Sequence, residues 1–168
     1  MVGLEIDFHV VGLGKLLANL ISLETALRAF IGNNCSDSMI NFTDSYNLDS
    51  IAKGDRLPVD AFTNYAQLSE IIRDYNSIVE DTNPDLKVDT SVVDIRHAIA
   101  HGRDLSSAKA LPLKLFKFSP PDNRTNTVKV THCVSMTEDW FREKILLVLD
   151  QLKKVGEANS RFGQKDGS

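Results

Sequence analysis

Val92-Val93-Asp94-Ile95-Arg96-His97-Ala98-Ile99-Ala100-His101-Gly102-Arg103 is the stretch on which the reading of this chain turns. Val92, Ile95, Arg96, Ile99 and Arg103 recur at helical spacing, with Val93 and Ala100 beside them. Gly102 is suited to end that helix, because a left-handed position after the last turn costs glycine nothing. His101 then falls in the last turn, and His97 lies one turn earlier on the same face. Arg96 and Arg103 bring two guanidiniums to the same helix end. Side chains of like charge repel there, so packing convenience does not explain them. The group suits an anion, a phosphate above all, which guanidinium grips through paired hydrogen bonds.

Outward from this stretch the chain is patterned for helices. Asp89, Thr90 and Ser91 are all good N-caps for the motif helix. Upstream, Pro58 suits a first helical turn. Phe62, Tyr65, Leu68, Ile71, Ile72, Tyr75, Ile78 and Val79 follow as a stripe that Asn83-Pro84 breaks. From Gly12 to Ile31, Leu13, Leu16, Leu20, Leu23, Leu27 and Phe30 step by three and four, and Leu17 and Ile31 widen the stripe. Before it, Leu4, Ile6, Phe8 and Val10 alternate with Glu5, Asp7 and His9. That period of two reads as a short strand or extended arm, or as the frayed start of the helix.

Downstream, Leu111, Leu113, Leu115 (or Phe116) and Phe118 alternate roughly with Pro112, Lys114 and Lys117. A Pro/Asn turn at 119–124 follows, then Val128 and Val130 alternate with Lys129 and Thr131. Two such runs predict a hairpin with a long loop. Ser135 and Glu138 have capping-box spacing, and Trp140, Phe141, Ile145, Val148, Leu152 and Val155 form a last helix. Residues 32–57 are turn-rich, with few apolar anchors, and are expected to be partly mobile beside the substrate cleft.

These stripes predict a mainly α fold: four helices near 12–31, 58–79, 89–102 and 137–157, with a β-hairpin near 111–134 before the last helix. The expected organisation is a single domain over 1–157 and a disordered polar tail over 158–168.

Composition narrows the function. The chain has 168 residues, enough for a proper core, and a net charge of −4. An acidic protein does not coat nucleic acid by bulk electrostatics, so any such role rests on a local patch. Cys35 and Cys133 show no CxxC spacing and read as reduced thiols of a cytosolic protein. The start carries Glu5 and Asp7 rather than a basic leader, and no apolar run is read as a membrane span. A cytoplasmic protein with no membrane partner is expected. Gly12-Leu13-Gly14 lacks the third glycine of a phosphate loop, and no serine sits in a nucleophile elbow. His97 and His101 make half a zinc site. But no glutamate follows His97, and the arginines repel a cation, so neither metal nor cofactor is expected.

Arg96 and His101 are separated by four residues, with polar His97 next to the arginine. This resembles the R-x4-H motif of HEPN domains, small helical bundles of which many are metal-independent endoribonucleases, some toxin-like. The resemblance covers the helical core and not 32–57 or 104–135. It implies a four-helix HEPN-like bundle, RNA as substrate, and a composite active site in which the motif helices of two subunits face each other. A homodimer follows, and an antitoxin-type partner protein fits the toxin-like members.

RNA carries its own nucleophile, the 2′-OH, and a neutral imidazole removes its proton while cations meet the phosphorane charge. On this reading Arg96 and His101 are catalytic, with His101 as base and Arg96 on the phosphate. Arg103 supports Arg96, and His97 positions the substrate or acts as acid. Glu24 lies at the edge of the first helical stripe. It either pairs with Arg28 at i+4 or supports the site by orienting Arg96. Two other classes stand beside the ribonuclease: a non-catalytic HEPN-like dimer that binds nucleotide or a partner protein, and a structural helical dimer in which the Arg/His cluster is a polar interface.

Overall fold

The computed structural model describes residues 2–35, 50–80, 83–104 and 112–163. Four α-helices stand among them: α1 (Val2–Cys35), α2 (Leu68–Val79), α3 (Ser91–His101) and α4 (Glu138–Phe162). A 3-10 turn at Pro84–Leu86 precedes α3. Between α3 and α4 lies an antiparallel sheet in the order β1 (Arg103–Asp104), β2 (Lys114–Phe118) and β3 (Val130–Ser135). The fold is mainly helical with an antiparallel hairpin before the last helix, as the stripes predict. The chain groups into two compact units, each drawing on part of α1 and part of α4.

The first unit holds 1–20 and 91–149. Leu16 and Leu20 of α1, Val92, Ile95 and Ala98 of α3, Leu115 of β2, and Phe141 and Val148 of α4 are buried in it. Gly12, not Leu13, continues the buried side of α1, because the ring of Phe141 takes the space. A Cβ on Gly12 would lie 2.7 Å from that ring, and Leu13 is exposed. Residues 4–10 are helical, not a strand or arm. Their alternation gives way because His9 is buried one turn before Gly12 and two turns before Leu16. The His9 ring packs on Phe8 and Phe141, and its Nε2 accepts the Leu113 backbone N–H at 3.3 Å.

The second unit holds 21–90 and 150–168. Leu23, Leu27 and Phe30 of α1, Ile71, Ile72, Tyr75 and Val79 of α2, and Val155 of α4 are buried there. α2 begins at Leu68, ten residues after Pro58. The reason is competition for the backbone. Asp60 accepts the N–H groups of Phe62 and Thr63, and Arg28 draws on the carbonyls of Ala61, Asn64 and Ala66, so 60–66 are held in turns. Tyr65, expected in the core, is fully exposed. α4 continues past Glu157, where the tail was expected to start: Ala158 is buried and Phe162 packs edge-on against Phe30 at 5.2 Å. Residues 164–168 lie outside the described residues, as does 36–49 of the segment expected to be mobile.

α1 also corrects the reading of apolar runs. Phe8–Asn34 is long and apolar enough to cross a membrane by length and composition, with a mean hydropathy of 1.4. The buried stripe accounts for part of this. Val10, Leu13, Leu17 and Ile21 add a second, exposed apolar row.

Candidate functional site

α3 carries the site because its two faces differ. Val92, Ile95 and Ala98 bury one face, while Arg96 and His101 are exposed and His97 is half-buried on the other. The helix closes as Gly102 N–H donates to the Ala98 carbonyl at 2.7 Å. Gly102 is not left-handed as expected; positive φ is confined to Gly54 and Asn126 among the described residues. What demands glycine is space. A Cβ there would sit 2.2 Å from the Ala98 carbonyl oxygen and 2.4 Å from Leu115 Cδ1. This close approach lets the chain pass directly from α3 into β1, so that Arg103 pairs with Phe116 of β2.

His97 and His101 lie with ring centroids 6.1 Å apart, as i,i+4 spacing requires. Arg96 has no ion pair and no hydrogen bond among the described residues. Arg103 places its guanidinium over the ring of Phe118, 5.9 Å from the centroid, in cation–π contact. His101, Arg103, Phe118, Ser119, Pro121 and Val128 line an open cleft of about 260 Å³. Arg96 and His97 are not on its lining.

Burial pushes His97 below the usual histidine range, the charges of Lys117, Arg96 and His101 push it the same way, and Asp94 opposes them. His97 is therefore held in its neutral form at neutral pH. Among the described residues no group of three or more His, Cys, Asp or Glu side chains gathers as a metal site would need.

Glu24 lies in the second unit, where its Oε1 accepts from Arg28 Nε at 3.1 Å and Nη2 at 3.0 Å. The local pairing is the one realised. Two contributors escaped the sequence reading: Lys117, which acts on His97, and Phe118, which carries Arg103. Both were legible as strand residues, but not as neighbours of α3.

One signal in the sequence could have found the surroundings of the site. Residues 96–135 hold seven lysines and arginines against two aspartates, a surplus of five positive charges in a chain of net −4. The acidic total conceals a basic segment that contains the end of α3 and the whole sheet. No family model, no curated protein and no solved structure matches the chain.

Proposed function

We propose that this protein is a HEPN-type, metal-independent endoribonuclease that acts as a homodimer, with its site at the end of α3. The observation that carries the reading is the set of basic groups there: exposed Arg96 without an ion pair among the described residues, the adjacent His97–His101 imidazoles, and Arg103 on the lining of a cleft. An anion with an exposed sugar edge is what such a set accommodates.

In the proposed reaction His101 takes the proton of a ribose 2′-OH as that oxygen bonds to the adjacent phosphorus. The bond from phosphorus to the 5′-oxygen breaks, and the leaving oxygen acquires a proton from water. The products end in a 2′,3′-cyclic phosphate and a 5′-OH. Arg96 and Arg103 stabilise the charge that builds on the phosphoryl oxygens. His97, held neutral, is a poor proton donor; its role is to position the substrate. One chain supplies one Arg96–His101 set, and a second chain completes the composite site. The exposed row Val10, Leu13, Leu17 and Ile21 on α1 supports association, since a helix face of that kind is stabilised by burial.

The test is an assay on total RNA in excess chelator, with the mass of wild type and variants read by sedimentation. Wild type cleaves and leaves cyclic phosphate ends. His101→Ala lowers the rate by about a hundredfold to ten-thousandfold and leaves the melting temperature in place, because His101 is exposed. Arg96→Ala loses about a hundredfold or more. Absence of cleavage by wild type, or cleavage only with added divalent metal, overturns the mechanism. A monomer at micromolar concentration overturns the composite site.

A further inference from the structure

We infer that the face of the sheet carrying Phe116 and Phe118 is a base-stacking subsite for single-stranded RNA, leading into the cleft at His101. The ligand class rests on the ribonuclease reading, but the subsite is tested apart from cleavage. β2 alternates: Leu115 is buried against Gly102, Lys117 acts on His97, and Phe116 and Phe118 take the other side. The two phenyl rings are parallel within 9° and 6.4 Å apart, and both are only half-buried. Arg103, opposite Phe116 in the ladder, reaches over Phe118. Val130, paired with Phe118, is exposed, as is Val128 on the cleft.

Solvent-facing aromatic rings on a sheet are costly unless something covers them. Three features favour unpaired bases over a protein. Parallel rings with a guanidinium across one offer π-faces and a phosphate ligand together. The surrounding 96–135 segment carries the chain's positive surplus, which complements a polyanion. The lining then runs from Phe118 to His101, so a base on Phe118 puts its sugar-phosphate toward the proposed catalytic imidazole. A-form duplex keeps its bases stacked on one another and cannot use such a platform, so the subsite selects unpaired RNA.

The experiment measures binding of the full chain to a short labelled oligoribonucleotide, 2′-O-methylated throughout so that the nucleophile is absent, by fluorescence anisotropy. Wild type binds the single strand and binds the matching duplex more weakly. Phe118→Ala weakens single-strand binding by about fivefold to a hundredfold, the loss of one stacked base. Phe118→Trp keeps affinity at least at the wild-type level. Phe118→Leu preserves apolar bulk and the fold, checked by thermal melting, yet binds like the alanine variant. Arg103→Gln lowers the salt dependence of binding. Wild-type affinity in Phe118→Leu, equal binding of duplex, or no binding by wild type each overturns the subsite. Cleavage that proceeds with binding indifferent to Phe118 removes the subsite and spares the ribonuclease reading. Phe118-dependent binding without any cleavage does the opposite.

Discussion

In the second unit Arg28 is 8% exposed and every part of its guanidinium is engaged. Nε and Nη2 share Glu24, Nη1 reaches Ala61 and Asn64, and Nη2 also reaches Ala66 at 2.8 Å. In the first unit Arg96 is exposed and has no ion pair among the described residues. Both arginines sit in helices, but only Arg28 has an acidic residue one turn away, Glu24; the acid nearest Arg96 in sequence is Asp94, two positions off and on another face. One guanidinium is consumed in holding the chain together. The other has no hydrogen bond among the described residues and lies exposed. A buried arginine must be satisfied or it destabilises the fold. An exposed one has no such requirement and is available to a ligand.

The sharpest way to break this contrast is to remove each arginine in turn. Arg28→Ala leaves Glu24 without its cation and strips three backbone carbonyls of a donor, so unfolding in denaturant should come about 3 kcal/mol easier. Arg28→Lys should recover little, because an ammonium cannot span the same fork of acceptors. Arg96→Ala should change stability by no more than about 0.5 kcal/mol. Equal losses in the two variants would place Arg96 in a structural network and remove it from the proposed site.

A smaller effect separates two glycines in the same way. Gly102→Ala forces a Cβ into the Ala98 carbonyl and Leu115, which should cost about 1–3 kcal/mol and tilt α3 away from β2. Gly14→Ala meets nothing within 4 Å on α1 and should stabilise by roughly 0.5–1 kcal/mol through helix propensity. Thermal melts followed by circular dichroism read both. A neutral Gly102→Ala would show that α3 has slack against the sheet.

The smallest effect is in pH. His97 has a lowered pKa in the folded chain, mainly through burial and then Lys117 and Arg96. The unfolded chain therefore binds the proton more readily. The contribution of neutral His97 is fully present above the ordinary histidine range, near 6.5, and is lost as pH falls through and below it. Denaturation midpoints should drop across that window, and His97→Asn should flatten the drop. A slope unchanged in His97→Asn would assign it to other groups.

Much of the fold was legible. Leu16, Leu20, Leu23, Leu27 and Phe30 are the buried row their spacing predicts, and the hairpin strands, Lys114–Phe118 and Val130–Ser135, overrun the expected 111–134 by one residue. Of the candidate site, the pairing of His97 with His101 on one helix face was legible because i,i+4 geometry is a local fact. Glu24 was not, since two partners stood at plausible distance and only packing chose Arg28. Pro58 misled in the same way: its local preference for a first turn lost to Asp60 and Arg28, which hold 60–66 in turns.

By itself the sequence determined the helical periods, the place where α3 ends, and the basic end it presents, because each depends on residues a few positions apart. Tertiary structure decided which of two available partners a charge takes, why Gly102 is needed, and which strand residues meet α3. Lys117 comes near His97, and Phe118 near Arg103, only through an antiparallel pairing that closes a loop of the chain. Contacts of that kind are set by the shapes that must pack together, and no local period in the chain encodes them.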